Sequence, residues 1–186
     1  MNIKITIQDL TYITIYTDGS LKNNIMGIGW IIKTENQDIT FQARTNQSFP
    51  SSTRAELLAI LSALITIPPN TTVELYSNSQ AAINSIQTQM LPNRNKQQKQ
   101  LKYQITLDNI KQIITSLNIQ LNLHKIKAHT GNMDNETADK LVKQAIDTLQ
   151  LYQSIDNNIT SESPKIISTW NKISLENPIS TVIKTC

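Results

Sequence analysis

The stretch that decides the fold is Tyr12-Ile-Thr-Ile-Tyr-Thr-Asp-Gly-Ser20. Two isoleucines alternate here with a threonine and a tyrosine, a period of two that is typical of a buried strand. The pattern predicts a strand that ends at Asp18 and a turn at Gly19-Ser20. A carboxylate in that place can line a pocket open to solvent, but Asp-Gly is also a common turn pair. This stretch alone therefore leaves both a turn cap and a functional acid open.

The bulk composition is that of one ordinary domain with an appendage. The chain has 186 residues, a hydrophobic fraction of 39% and a formal net charge of +3, which permits a polyanionic partner without requiring one. Its single cysteine, Cys186, excludes an internal disulfide and is compatible with a reducing compartment. The first ten residues do not resemble a signal peptide, and no apolar run is long enough to span a membrane. We therefore expect an intracellular protein, nuclear or cytoplasmic, that is not secreted.

Hydrophobic periodicity predicts the element order β-β-β-α-β-α-α-β-α, followed by a tail. The predicted strands are residues 12–18, 25–34, 39–45, 73–77 and 119–128, and the predicted helices are residues 51–65, 80–88, 103–117 and 132–151. Consecutive strands followed by helix-separated strands favour an α/β fold with a mixed sheet and helices on both faces. We divide the chain into a leader (1–10), a domain (11–151) and a C-terminal tail (152–186) that we expect to begin a further segment.

Four polar residues lie just after predicted strands or early in predicted helices: Asp18, Glu56, Asn78 and Asp139. Functional groups of α/β sheets gather at strand ends and helix N-termini. Carboxylates that converge there repel one another unless cations neutralise them, and Mg²⁺ prefers such oxygen ligands. Two such ions would form a phosphoryl-transfer centre. From spacing alone, surface acids paired with lysines are the favoured interpretation.

Four fragments resemble, in order, the motifs of type 1 ribonuclease H domains. They are Thr17-Asp-Gly-Ser20, Thr53-Arg-Ala-Glu-Leu57, Ser77-Asn-Ser-Gln-Ala-Ala82 and the run from His129-Thr-Gly to Asn135-Glu-Thr-Ala-Asp139. The likeness is closest to the domains carried by reverse transcriptases of non-LTR retrotransposons. It implies a ribonuclease H-like fold with a five-stranded mixed sheet. It also implies endonucleolytic hydrolysis of the RNA strand of RNA–DNA hybrids, with two Mg²⁺ ions or Mn²⁺ in their place. A larger reverse transcriptase polyprotein and a monomeric domain are further expectations.

The resemblance assigns Asp18 as the carboxylate that bridges both ions, and Glu56 and Asp139 as the second and fourth carboxylates. The third carboxylate of the family is an aspartate, but this chain has Asn78 in the matching run Ser77-Asn-Ser-Gln80. An amide oxygen can still ligate a hard cation, but the site loses one negative charge and should bind metal more weakly. A deliberate substitution, a decayed transposon copy and a working variant all remain open. All three predict weaker hydrolysis than an aspartate would give.

The resemblance also assigns roles outside the acids. His129 matches the loop histidine of the family, which is associated with product release or proton movement. Discrimination of RNA requires small polar groups that reach 2′-hydroxyls in the minor groove. The candidate hybrid-binding residues are Gly19, Ser20, Asn23, Ser51, Ser52, Thr53 and Gln80. A basic run fits either a protrusion that grips the duplex or a solvated linker; it comprises Arg94, Lys96, Lys99 and Lys102.

Two other functions compete with the nuclease hypothesis. The first is a hybrid-binding module that has lost its chemistry, which Asn78 favours. The second is a different nuclease or an integrase of the same superfold. The run from His129 to Asp139 and the motif that contains Gln80 argue against this last alternative.

Overall fold

The computed structural model describes residues 7–45, 49–91, 103–127 and 132–148, and the backbone of residues 169–170 and 173–174. The main sheet has five strands: β1 (Tyr12–Lys22), β2 (Ile25–Lys33), β3 (Ile39–Thr45), β4 (Thr72–Ser77) and β5 (Gln120–Lys125). Their order is β3-β2-β1-β4-β5. The first three strands are antiparallel, whereas β4 and β5 run parallel to β1. The predicted five-stranded mixed sheet is confirmed.

Four helices cover the two faces of this sheet. They are α1 (Ser52–Leu64), α2 (Gln80–Met90), α3 (Gln104–Ser116) and α4 (Met133–Asp147). Helix α1 packs on β1 and β2 and also contacts α2 and α3, whereas α4 packs on β1, β2 and β3. The element order is the predicted one. A short antiparallel pair, β6 (Thr169–Trp170) with β7 (Ile173–Ser174), was not predicted. No helix among the described residues is long and apolar enough to cross a membrane.

The core lies between the sheet and the layer of α1 and α3. Apolar side chains of β1 and β4, such as Ile15 and Leu75, are fully buried against α1. Trp30 of β2 stacks on Phe41 with ring centroids 5.2 Å apart, and its indole N–H donates to Ser62 Oγ at 3.1 Å. Each large apolar side chain buried in this way contributes about 1.5–3 kcal/mol. The core thus fixes α1, and with it Glu56, against the strands.

The predicted end of the first strand at Asp18 is wrong. Strand β1 continues to Lys22, and the turn of the β1–β2 hairpin is Asn23-Asn24, with φ values of 52° and 60°. Two positive φ values are typical of a type I′ turn, whose twist matches that of the paired strands, and asparagine tolerates them well. Gly19 and Ser20 therefore lie within the strand rather than in a turn.

Asp18 nevertheless marks a boundary of a different kind. The parallel pairing of β1 with β4 stops at Thr17 and Ser77, while β1 continues with β2 alone. Asp18 therefore lies just beyond the carboxyl end of β4, where the crevices of α/β sheets form. The reasoning that placed a pocket at Asp18 holds, although its cause is the end of β4 and not the end of β1.

Gly19 allows α1 to approach the sheet closely. A Cβ atom at Gly19 would lie 2.4 Å from both the carbonyl carbon of Ala55 and the backbone nitrogen of Glu56. Real Cβ atoms do not approach backbone atoms that closely, so only glycine permits this contact. The contact brings the backbone of Glu56 next to that of Asp18.

Two glycines of β2 do the same for α4 on the opposite face. A Cβ atom at Gly27 would lie 2.7 Å from the Ile146 side chain, and one at Gly29 would lie 3.0 Å from the Ala138 carbonyl oxygen. Gly29 is the cross-strand partner of Asp18. Helix α4, which carries Asp139, therefore lies directly over the part of the sheet that carries Asp18.

We predict that Gly19→Ala destabilises the fold much more than Gly29→Ala. Gly19 faces backbone atoms that cannot move aside, so we expect a loss of about 3 kcal/mol or more, against about 1 kcal/mol at Gly29. Urea unfolding of both variants and the unchanged chain measures the difference. Equal losses at the two positions would contradict the close approach of α1 described above.

Candidate active site

Asp18 and Glu56 form a buried acidic pair beyond the end of β4. Their exposed fractions are only 4% and 5%. Burial raises the pKa of Glu56 well above its usual range, and the charge of Asp18 raises it further. Burial also raises the pKa of Asp18, as does the charge of Asp139. Two carboxylates held in so little water are destabilised in their ionised forms, so a cation beside them would be favourable.

One oxygen of this pair has no partner within the described residues. Ser77 and the Gly19 backbone hydrogen-bond the Glu56 carboxyl group, which opposes the rise of its pKa. The second oxygen, Oε2, is buried without any hydrogen bond. Buried polar atoms are nearly always satisfied, and a bound cation is one of the partners that can satisfy such an oxygen. A hard cation fits this donor.

Asn78 binds the same aspartate from the opposite side. Its Nδ2 donates to Asp18 Oδ1 at 2.9 Å, and this hydrogen bond opposes the rise in the pKa of Asp18. The ammonium group of Lys125 contacts the backbone carbonyl oxygen of Asn78 and lowers the pKa of Glu56 through its charge. At this position an aspartate would repel Asp18, whereas the amide satisfies one of its oxygens. The Asn78 side chain thus stabilises the site without a metal ion.

Asp139 approaches from α4 and is held by a lysine. Lys143 Nζ donates to Asp139 Oδ2 at 2.5 Å, one helical turn further along α4. The hydrogen bond to Asp139 raises the pKa of Lys143, and the positive charge of Lys143 lowers that of Asp18. Asp139 is therefore close enough to Asp18 for their charges to interact, but its carboxylate is already paired.

The donor set fits a divalent cation incompletely. Within the described part of the chain, no three His, Cys, Asp or Glu side chains converge closely enough to hold a metal ion. Asp18 and Glu56 do fit one, because both are buried acids and Glu56 Oε2 is orphaned. Asp139 and Asn78 fit less well as they stand, since Lys143 and the Asp18–Asn78 hydrogen bond occupy them.

The predicted hybrid-binding residues fall into two groups. Ser51 is the N-cap of α1, accepts from the Arg54 backbone N–H, and also hydrogen-bonds Tyr103 at 2.8 Å. Its hydroxyl is therefore already used in capping, as expected for one member of this cluster. Ser52 and Gln80 are exposed, and Thr53 is half-buried, so these three can reach a ligand.

The β1 candidates are spread along the strand. Gly19 is buried under α1, whereas Ser20 is half-buried in β1 beyond Asp18. Asn23 lies in the hairpin turn, about 16 Å along the strand from Asp18, and is not brought to the acids. His129 and the basic run from Arg94 to Lys102 lie outside the described residues.

Sequence reasoning missed the two lysines at the site. Lys143 could have been found from its i,i+4 spacing to Asp139 on a predicted helix. Lys125 is the last residue of β5 and pairs in register with Ser77, so the parallel alignment of β4 and β5 places it at the same sheet edge. Its role could not be deduced without that register.

Comparisons with known proteins identify the family of this chain. The family model for RNase H matches residues 11–147. Ribonuclease H of Chlorobium chlorochromatii (strain CaD3) is 29% identical over 138 residues, which cover 72% of this chain and 94% of that protein. Ribonuclease H of Nitrobacter hamburgensis is 29% identical over 144 residues, which cover 74% of this chain and 93% of that protein. Most of each relative is therefore matched.

The solved structures give the same result for the fold. The crystal structure of RNase H1 from the halophilic archaeon Halobacterium salinarum NRC-1 superposes with a TM-score of 0.52 at 19% sequence identity. The superposition covers 73% of this chain and 98% of that one. At this identity the likeness shows the shared fold alone.

We predict that Glu56→Gln stabilises the metal-free protein at neutral pH. A raised pKa in the folded state means that ionisation opposes folding, so the stability present below about pH 4.5 is lost as the pH rises through the folded pKa. Removing the buried charge should raise the free energy of unfolding by about 1–3 kcal/mol at pH 8 and by little near pH 4. Urea unfolding in a chelator measures this, with the exposed Glu35→Gln as the charge-matched control. A gain that does not depend on pH, or one that Glu35→Gln reproduces, would contradict this account.

Proposed function

Since the RNase H family model matches most of its length, the chain belongs to the RNase H family, and we propose that it binds RNA–DNA hybrids and hydrolyses their RNA strand. The observation that supports this most directly is the buried pair Asp18–Glu56, with its orphaned oxygen, in the crevice beyond β4. Such a pair is unfavourable for stability and is understandable as a binding site for a cation and a phosphodiester. Cleavage within the RNA strand would leave a 3′-hydroxyl and a 5′-phosphate, as in the family.

The residues that we propose as metal ligands are Asp18, Glu56, Asn78 and Asp139. Divalent ions bound there, two Mg²⁺ or Mn²⁺ in their place, would supply an activated water and neutralise charge on the phosphate. The chain itself contributes orientation. Asp18 and Glu56 are held rigidly because α1 is locked against Gly19, and their burial excludes competing water. Asp139 completes the set once it leaves Lys143.

Asn78 is the residue that we expect to limit the rate. As a ligand it would have to turn its amide oxygen toward the ion and give up the hydrogen bond from Nδ2 to Asp18. It also brings no negative charge, and metal affinity follows ligand charge. We therefore propose an impaired nuclease rather than a fully active one.

Recognition of the hybrid would use the polar groups around α1 and the start of α2. Ser52, Thr53 and Gln80 present side chains near Glu56 and Asn78 that suit 2′-hydroxyls in a wide minor groove. Gln80 now donates to Asn84 Oδ1 at 2.8 Å, an exposed contact that a ligand could replace. Binding would then depend on duplex shape more than on base sequence. His129 keeps its proposed role in product release or proton movement.

The second candidate is a hybrid-binding module without catalysis. The specific observation in its favour is that the site is stabilised without metal, by the Asn78 amide on Asp18 and by Lys143 on Asp139. A site of reduced negative charge also repels a nucleic acid backbone less. Binding without cleavage is thus the outcome expected if the acids do not take up metal.

The biological context is a separate proposal. The motif resemblance supports an origin in a non-LTR retrotransposon reverse transcriptase, acting inside the cell as a monomeric domain. Residues 11–151 would form that domain, with residues 1–10 as a leader and residues 152–186 as the beginning of a further segment. Reverse transcriptase motifs encoded next to this domain in the source genome would support the proposal, and an isolated ribonuclease H gene there would refute it.

We predict that Asn78→Asp raises the rate of hybrid cleavage at least about a hundredfold. A restored carboxylate ligand should recover several kcal/mol of transition-state stabilisation, and each tenfold corresponds to about 1.4 kcal/mol. The measurement is cleavage of a labelled RNA–DNA hybrid in Mg²⁺ and in Mn²⁺. The matched control is Asn84→Asp, an identical exchange at an exposed position of α2.

The outcomes separate the two candidate functions. Cleavage that appears only with Asn78→Asp would identify the chain with Asn78 as a binding-competent but inactive nuclease. Rates within about twofold of each other would show that the amide suffices and would reject the limiting role of Asn78. If neither protein cleaves the hybrid and neither binds it, the proposed function is refuted.

We predict that Lys99→Gln flattens the salt dependence of hybrid binding if the basic run contacts the duplex. Each phosphate contact removed should reduce the slope of log K against log salt concentration by about 0.9. Fluorescence anisotropy at several salt concentrations measures the slope, with Gln98→Ala as a neutral control in the same run. An unchanged slope would favour the linker interpretation.

A further inference from the structure

Lys143 forms an ion pair with Asp139, one of the proposed metal ligands. Its ammonium group is 2.5 Å from Asp139 Oδ2, the acid that would complete the metal set. The side chain of Asp139 is 25% exposed and that of Lys143 is 62% exposed. Ion pairs this exposed contribute little to stability, so the contact is not needed to hold α4 in place. Helix α4 is already fixed by its packing on Gly27 and Gly29.

The charges around the acids are nearly balanced without any metal. Asp18, Glu56 and Asp139 bring three negative charges when ionised, and Lys125 and Lys143 bring two positive ones. An aspartate in place of Asn78 would leave the site with a larger negative excess. The ammonium group of Lys143 thus neutralises part of the charge that a second cation would otherwise neutralise.

A second observation points to a cation rather than to a purely structural cluster. Glu56 Oε2 is buried and has no hydrogen-bond partner among the described residues, although Glu56 faces the charge of Asp18. The charge of Lys125 reaches Glu56 only from a distance, whereas the carboxylate of Asp139 is in direct contact with the ammonium group of Lys143. A cation can therefore bind beside Asp18 and Glu56 more readily than beside Asp139.

We propose that Lys143 is an intramolecular competitor of the divalent cation at Asp139, so that metal loading of this site requires Lys143 to leave. This inference rests on the proposed metal ligands and deepens the proposed function, because it names the residue that sets metal affinity. In the unchanged chain one cation is favoured at Asp18 and Glu56, and a cation binds beside Asp139 only at higher concentration. Exchange of Lys143 between Asp139 and solvent then controls the loading of the site.

The test is a titration of the full chain with Mn²⁺ in the absence of nucleic acid. Isothermal titration calorimetry and the EPR signal of free Mn²⁺ measure the binding. We expect Lys143→Met to tighten Mn²⁺ binding about fivefold or more, since a charge adjacent to the ligand is removed. Lys140→Met, an exposed lysine on the same helix with the same change of charge, should leave the affinity within about twofold. Lys143→Arg retains the charge and should keep the native affinity.

A double-mutant cycle shows whether Lys143 acts through Asp139. In an Asp139→Asn background, Lys143→Met should no longer tighten Mn²⁺ binding. Equal affinities for the native chain and Lys143→Met, equal gains in Lys143→Met and Lys140→Met, or undetectable binding in all variants would each overturn the proposal. Hybrid cleavage by Asn78→Asp is a separate readout, so failure of the competition and failure of the nuclease proposal are distinguishable.

Discussion

The structure depends on how closely two helices approach the sheet from opposite faces. Gly19 admits the backbone of α1, and Gly27 and Gly29 admit α4. A side chain at Gly19 would abolish the first contact, because the atoms opposite it belong to a backbone that cannot move aside, whereas one at Gly27 or Gly29 would push α4 outward by a smaller amount. These contacts bring Glu56 and Asp139 to Asp18. The close helix packing that Gly19, Gly27 and Gly29 permit is therefore as important for the site as its three carboxylates.

Close packing of this kind has an electrostatic consequence. Water is excluded from Asp18 and Glu56, and the pKa of each rises because the ionised form is poorly solvated. Neutral hydrogen-bond donors oppose this rise: Ser77 and the Gly19 backbone at Glu56, and the Asn78 amide at Asp18. The positive charges of Lys125 and Lys143 act in the same direction, at Glu56 and Asp18 respectively. Glu56 Oε2 still has no hydrogen-bond partner in the part of the chain that the structure describes. The Asp18 carboxylate therefore has a hydrogen-bond donor on one oxygen, whereas one oxygen of Glu56 is left for a ligand.

Particular residues show what the sequence could and could not reveal. The alternation before Asp18 and the helical spacing after Thr53 were sufficient to predict β1 and α1, because each pattern is local. The β1–β2 turn was misplaced because Asp-Gly carries a strong turn signal, whereas a fully paired strand tolerates it. The Asn23-Asn24 signal was the better guide, since both residues tolerate positive φ. Lys125 could not be recognised, because its position depends on the register between β4 and β5.

Asparagine in place of aspartate at position 78 changes the charge of the site but not the shape of the side chain. Asparagine and aspartate have nearly the same shape, so the loop after β4 and the N-cap of α2 at Ser79 do not depend on which one is present. The local charge does depend on it. The Asn78 amide donates a hydrogen bond to Asp18, whereas a carboxylate at this position would repel Asp18. The amide therefore stabilises the metal-free protein, and the same lack of negative charge lowers the expected affinity for a metal ion. Lys143 likewise occupies Asp139, although an ion pair this exposed adds little to stability. The fold of this ribonuclease H domain can therefore persist without a metal ion, because Asn78 and Lys143 already contact two of the acids that we propose as metal ligands.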